Sequence, residues 1–280
     1  MKKRIKGWLL IATSLILVGC ILFIGVMTML KWNFRKLSTD QYETNTYNIT
    51  DAFTNLSVDV TTADVVFAPS ADGTVSVVCY EKTKMKHTVA VEGDTLTIQV
   101  ENQKWYRNIG IHMGGPKITI YLPAGTYGAL AVKATTGDVT IPKDFSFASA
   151  VVGVTTGDIT CSANVTGDMT LRITTGNVNL SEVTCRNLTA TGTSGNITLK
   201  SVIAAETFTI KCVTGNVTFK SCDAATLQVK VTTGNITGTL LTPKVFDAHV
   251  TTGHVDIPPS IEGGSCKLSA TTGNIMIKIQ

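Results

Sequence analysis

Eight times between residues 135 and 274 the chain repeats a Thr-Thr-Gly-Asn/Asp turn at an almost fixed interval, and that interval limits the fold more than any other feature. Aligned on the glycine, the copies read TTGDVTI at Gly137, TTGDITC at Gly157, TTGNVNL at Gly176, TSGNITL at Gly195, VTGNVTF at Gly215, TTGNITG at Gly234, TTGHVDI at Gly253 and TTGNIMI at Gly273, with steps of 20, 19, 19, 20, 19, 19 and 20 residues. A unit of this length cannot bury an apolar face alone, so copies must stack on one another.

The columns of the repeat say how they stack. Seven, five and three residues before each glycine stand mostly apolar or small side chains, such as Leu227, Val229 and Val231, or Phe208, Ile210 and Cys212; two and four after it stand pairs such as Val139 and Ile141, Val178 and Leu180, or Ile275 and Ile277. Spacing by two is the strand period, which puts these residues on one face. Each repeat therefore supplies two short strands joined at the glycine turn. Laid coil upon coil at about 4.8 Å, eight repeats make a rod of roughly 40 Å. The expected fold is all-β, a single-stack β-solenoid with each coil placed on the one before it.

Glycine at the turn supplies a backbone with positive φ. The residue after it reads Asp138, Asp158, Asn177, Asn196, Asn216, Asn235, His254 and Asn274, a column expected to form a structural ladder of side-chain hydrogen bonds that caps the turn carbonyls. An extra VTGD at Gly167, midway between Gly157 and Gly176, predicts the same turn on the opposite side of that coil.

Residues 46–127 read as a less regular β region: strands over Leu56–Val60, Asp64–Ala68, Thr74–Tyr80, Thr88–Val91, Thr95–Val100 and Lys117–Leu122, separated by turns such as Ala71-Asp72-Gly73 and Glu92-Gly93-Asp94. Val60-Thr61-Thr62-Ala63-Asp64-Val65 is one degenerate repeat with alanine in the glycine place. This region is expected to cap the first open edge of the stack, with the repeats proper over 128–280.

The succession TTADVVF, TVSVVCY, VEGDTLTIQV, KITIYLPAG and then the string of TTGD/TTGN turns resembles the "putative adhesin" domain of bacterial envelope proteins, over about residues 50–280. The resemblance implies a solenoid outside the cytoplasm. It implies no specific activity, since some similar proteins are linked with adhesion and others with cell-envelope stress responses.

From Trp8 to Leu30 run 23 residues without a charge, as a helix about 35 Å long and enough to cross a hydrocarbon core of about 30 Å. The reading is a single-pass anchor over 8–30 in a bacterial cell membrane, a basic cytoplasmic segment 1–7, a tether over 31–45 and an extracytoplasmic remainder. Leu17-Val18-Gly19-Cys20 resembles a lipobox, so a lipoprotein anchored at Cys20 is the alternative; ten mostly apolar residues after Cys20 speak against it. The chain has 24 basic and 20 acidic residues, but seven of the basic ones lie in the first 36 residues with no acid among them, leaving 17 against 20 beyond. No dense basic domain remains for nucleic acid.

No constellation for catalysis stands out. The histidines are His87, His112, His249 and His254, no serine sits in a Gly-x-Ser-x-Gly elbow, and neither CxxC nor HxxxH occurs. The carboxylates of Asp138 and Asp158 fall short of the six to eight oxygens calcium takes, and the column turns to asparagine after them. From Gly128 onward there is neither Trp nor Tyr to stack on sugars. The chain is expected to be no enzyme and to take no cofactor or metal. Of the seven cysteines, Cys161 and Cys212 occupy inward columns as small buried hydrophobes.

Two surface features remain. Four residues before the glycine, on the outward face, come Lys133, Arg172, Lys211, Lys230 and His249, interrupted by Gly153, Thr191 and Ser269. In register they form a basic stripe suited to an anionic wall polymer or lipid headgroups, or else a solvated face whose cations discourage aggregation. The segment Gln103-Lys104-Trp105-Tyr106-Arg107 gathers aromatic and basic side chains of the kind found at binding hot spots, or packs as a lid. The functional expectation is a non-enzymatic surface protein, an adhesin or envelope-binding scaffold with the membrane and an anionic cell-wall polymer as partners. The alternative is an envelope-stress sensor docking on a membrane protein.

Overall fold

The computed structural model describes residues 2–32, 41–101 and 115–280. They fall into two units, each taken by itself. The first holds a helix over Lys2–Met29. Its stretch Lys6–Met29 is long and apolar enough to cross a membrane. Hydroxyls within it that would be costly in hydrocarbon donate back into the helix, as Ser14 Oγ does to the Leu10 carbonyl at 2.8 Å and Thr28 Oγ1 to the Ile24 carbonyl at 2.9 Å.

The second unit is a parallel β-solenoid. Strands that precede the turn glycines form one wall, here the leading sheet, and strands that follow them form the trailing sheet. In the leading sheet Gly125–Thr136, Phe145–Thr156, Asp168–Thr175, Thr184–Ser194, Ile203–Thr214 and the second half of Val217–Thr233 pair in parallel, one after another. In the trailing sheet Val178, Ile197, Val217 and Ile236 stand directly opposite one another in adjacent strands, and all four are at most 1% exposed. The inward columns are thus continuous. Full burial of each such aliphatic side chain contributes about 1.5–3 kcal/mol, which a lone 20-residue coil would forgo. Cys161 and Cys212 lie in these columns, and all seven cysteines are free thiols.

The glycines carry φ between 129° and 145° at all eight turns. The reason is contact as well as torsion: a Cβ on Gly195 would lie 1.8 Å from the carbonyl oxygen of Gly176 in the neighbouring coil. No side chain fits there. Ala63 fills the turn place of the degenerate repeat, as its sequence predicts, and donates its N–H to the Thr136 carbonyl at 3.0 Å. Gly167 does not repeat this turn. Its φ is not positive, and at the opposite corner of later coils the left-handed residues are Glu182, Ser201 and Ser221.

The order of coils departs from the sequence at both ends. The strand Gly264–Thr272 lies between Val217–Thr233 and Lys244–Thr252, and Ile275–Ile279 lies between Ile236–Leu240 and Val255–Asp256. The Gly273 coil is therefore inserted between the Gly234 and Gly253 coils, and the expectation that every coil rests on its predecessor fails there. Both coils offer apolar inward columns, and long-range packing selects between them. Cys266, Leu268, Ala270, Ile275 and Ile277 are fully apolar and become buried, whereas the Gly253 coil, with Phe246, Ala248 and Val250 only partly buried, takes the open end. At the other end Asn55–Thr62 sits between Thr95–Val100 and Gly125–Thr136, and Asp64–Pro69 between Lys117–Leu122 and Val139–Ile141. The first coil in sequence is likewise one place in from the end.

The remaining strands close the N-terminal end. Tyr42–Ile49 pairs antiparallel with Val75–Lys82, which pairs antiparallel with Lys117–Leu122; His87–Glu92 pairs antiparallel with Thr95–Val100. Antiparallel strands expose no parallel edge on which another coil can grow. Tyr42–Ile49 begins inside the segment read as tether.

Candidate binding face and a buried polar cluster

Parallel register turns a sequence position into a line. Asp59, Lys133, Gly153, Arg172, Thr191, Lys211, Lys230, Ser269 and His249 stand opposite one another in successive leading strands. The five predicted basic residues are all exposed and lie in one column, with Ser269 moved between Lys230 and His249 by the coil insertion. Lys133, Arg172 and Lys211 alternate with the small Gly153 and Thr191, so neighbouring cations are about 10 Å apart, two coil spacings. The gaps open into a groove of about 510 Å³ lined by these residues and by Thr135, Thr155, Thr174 and Thr193. A second hollow of about 290 Å³ follows, lined by Lys211, Gln228, Lys230, Lys267 and Ser269.

Acids lie at the margins of this face. Asp59 meets Lys133 at 3.2 Å, Asp247 meets Lys267 at 3.6 Å, and Asp168 is held by Arg186 at 3.0 Å. Hydrogen bonds from Asn187 and Arg186 keep the Asp168 carboxyl below its ordinary pKa, so it stays a carboxylate engaged sideways. Among the described residues no ion pair engages Arg172, Lys211 or Lys230. Trp105, Tyr106 and Arg107 lie outside the described residues.

The turn column forms the expected ladder, with one change in its chemistry. Side-chain oxygens cap backbone N–H groups, not carbonyls: Asp138 Oδ1 accepts from Asp158 N at 2.8 Å, Asp158 Oδ1 from Asn177 N at 2.6 Å, Asn177 from Asn196 at 3.1 Å, Asn196 from Asn216 at 3.0 Å and Asn216 from Asn235 at 2.9 Å. The turn carbonyls are already taken by backbone donors, as in Val139 N to the Asp158 carbonyl at 2.9 Å. Asn235 next caps Asn274, and Asn274 caps His254. His254 ends the ladder, where no further coil needs an acceptor.

Sequence reasoning passed over one cluster. Val77, Cys79 and Glu81 alternate along Val75–Lys82, so all three point into the cap, and a tight turn returns the chain to His87 at the start of the next strand. Cys79 and Glu81 are fully buried and His87 is 3% exposed. Their ligand-type atoms lie within 4.8 Å of one another. Glu81 Oε2 is 2.6 Å from His87 Nδ1 and accepts from the His87 backbone N–H at 2.7 Å; Glu81 Oε1 accepts from Asn45 Nδ2 at 2.7 Å. His87 Nε2 is buried without a hydrogen-bond partner. Burial, with the Glu81 charge adding to it, pushes the Cys79 thiol up to about 12. The signal available in the sequence was a carboxylate in the inward register of an otherwise apolar strand.

These features define a class: a parallel β-solenoid with a structural Asx ladder, a cationic outer column and, ahead of it, a helix able to span a bilayer. Residues 53–280 match the family model described as Toastrack DUF4097, and the chain belongs to that family. No curated protein matches it. Among solved structures, the chain is similar to a "putative adhesin" from Bacteroides fragilis NCTC 9343, 14% identical over 85% of this chain and 97% of that one, with a TM-score of 0.46. It is also similar to a "putative adhesin" from Parabacteroides distasonis ATCC 8503, 12% identical over 85% and 98%, TM-score 0.46. A third, a "putative cell adhesion protein" from Clostridium sporogenes ATCC 15579, is 10% identical over 86% and 100%, TM-score 0.27.

Proposed function

We propose that this protein is a non-enzymatic, single-pass membrane protein whose extracytoplasmic solenoid binds a linear anionic polymer of the cell envelope along its leading sheet. The observation that carries this reading is the register of Lys133, Arg172, Lys211 and Lys230 on one outward line with acids only at its margins. A chain of phosphates or carboxylates laid across the coils meets a cation every one or two coils, and weak contacts repeated on one stiff support add through effective concentration. The threonine hydroxyls beside the column supply hydrogen bonds to polymer oxygens.

The test is co-sedimentation of the full-length protein in detergent with purified anionic wall polymer. Wild type should be retained at low salt and released as salt shortens the Debye length from about 10 Å toward 3 Å. Lys211→Glu with Lys230→Glu should weaken retention about tenfold or more, with the thermal transition unmoved because both residues are exposed. Retention unchanged by the double reversal overturns the assignment of this face.

A further inference from the structure

We infer that Cys79, Glu81 and His87 form a binding site for one thiophilic divalent cation, of which Zn²⁺ is the representative, inside the N-terminal cap. The site is independent of the basic column. It is built from two strands and the turn joining them, with Asn45 and Tyr47 of Tyr42–Ile49 closing it: Asn45 donates to Glu81 and Tyr47 Oη donates to the His87 carbonyl at 3.1 Å.

Three observations converge. The first is the donor set. A thiol, an imidazole and a carboxylate within 4.8 Å of one another match the sulfur, nitrogen and oxygen ligands of zinc and exclude the hard cations that take oxygen alone. In a zinc tetrahedron with bonds of about 2.0–2.3 Å, ligand atoms stand about 3.5 Å apart, so Glu81 must release His87 Nδ1, now 2.6 Å away, for both side chains to hold the same ion.

The second is the unanswered ring nitrogen. Neutral His87 donates from Nδ1 to Glu81 and leaves a bare lone pair at Nε2; protonated His87 leaves a buried N–H there with no acceptor. Either state costs free energy in a closed interior.

The third is charge. Glu81 is a fully buried carboxylate with two neutral donors and an imidazole around it, while the flanking ion pair of Lys86 with Glu43, 2.6 Å apart, is outside and partly exposed. A dication joined to one thiolate and one carboxylate makes the buried site neutral. Binding exchanges the Cys79 S–H proton for the metal: the sulfur–metal bond forms, the proton leaves to solvent, and nothing is oxidised. One proton is released per ion from the form with neutral His87 and two from the form with protonated His87, so affinity rises with pH. Since the three side chains are closed off from solvent, the ion enters as the cap folds.

The experiment is metal analysis of the full-length chain, expressed once with Zn²⁺ and once with Co²⁺ in the medium. The expected result is about one equivalent of metal, a thiolate-to-cobalt charge-transfer band for the Co²⁺ form, and a thermal transition lowered when the metal is stripped by a chelator. Cys79→Ser and His87→Gln should each lower retention at least about 100-fold and abolish the band; Cys161→Ser should keep it. Absence of a stoichiometric metal and of the thiolate band in wild type overturns the inference, as does a band that survives Cys79→Ser. If either variant fails to fold, the decision falls on wild type, where a transition unmoved by stripping contradicts the site.

Discussion

Two glycines three residues apart should respond to alanine with opposite signs. A Cβ on Gly195 lies 1.8 Å from the Gly176 oxygen and 2.6 Å from its carbon, on a backbone with φ of 129°. To reach an ordinary carbon–oxygen contact of about 3.2 Å the coil must retreat by about 1.4 Å. That movement stretches the bond from Gly176 N to the Ser194 carbonyl, now 2.9 Å, and the Asn196-to-Asn177 rung, now 3.1 Å. Strained φ costs about 1–3 kcal/mol, overpacking about 1–3, and each weakened hydrogen bond about 0.5–1.5. Gly195→Ala should therefore destabilise by about 3–9 kcal/mol, lowering the thermal transition by roughly 10–30 °C. At Gly192 the new Cβ meets Ile173 and Ile197 side-chain carbons at 3.5–3.8 Å, ordinary contact. Gly192→Ala removes unfolded-state entropy and fills the column, so it should stabilise by about 0.4–1 kcal/mol. The assay is thermal unfolding of the full-length chain followed by circular dichroism. Equal effects at the two positions, or a stable Gly195→Ala protein, refute the turn geometry.

Asn196→Ala removes the acceptor of two bonds from Asn216 and the donor of one to Asn177, and should cost about 1–2 kcal/mol in chemical denaturation. Asn196→Asp keeps the acceptor, as Asp158 does for Asn177, and should cost less than half as much; the reverse order would show that the side-chain oxygen is not what caps the next coil. Burial raises the thiol pKa of Cys161 and Cys266 to about 12 and of Cys185 to about 11. The folded thiols hold protons that the unfolded chain releases from about pH 9, so their stabilising effect is complete below pH 9 and lost as pH rises toward 11–12. The thermal transition should fall over that window, and less so in Cys161→Ala with Cys266→Ala; an identical pH slope in wild type and the double variant contradicts the assignment. Maleimide should label the cysteines of the solenoid only after unfolding, and rapid labelling of Cys266 in the folded chain would contradict its burial.

The stack was readable because its signals are local. A positive-φ glycine, an Asx residue after it and apolar residues at period two each specify one coil, and repetition fixes the register. Strands in the cap were found to within a residue or two at most ends, as with Thr95–Val100 and Lys117–Leu122. The spatial order of coils was not readable, because neighbouring coils offer nearly interchangeable columns and the choice between them is a matter of long-range packing. His254 stands at the end of the ladder, a place its position in sequence ahead of Asn274 does not indicate. Tyr42–Ile49 is not among the expected strands because Tyr42, Glu43 and Asn45 fall in the polar segment read as tether over 31–45, while its partner Val75–Lys82 supplies the apolar contacts. The basic column followed from counting residues back from the glycine; the Cys79, Glu81 and His87 cluster depends on the tight turn at Lys82–Met85 that carries the chain from one sheet to the other, which no spacing rule predicts.

Disulfide capture across the trailing sheet reads the stacking directly. Thr237 faces Met276 in the adjacent strand, and Met276 in turn faces Asp256. Thr237→Cys with Met276→Cys places two Cα atoms about 4.8 Å apart, within disulfide range, and Thr237→Cys with Asp256→Cys leaves them about 10 Å apart, beyond it. Under mild oxidation the first pair should crosslink in the folded protein and the second should not. Crosslinking of the second pair in preference to the first would mean that coils pile up in sequence order, and the register of every column described above would be wrong at that end; crosslinking of neither would deny the parallel stack itself.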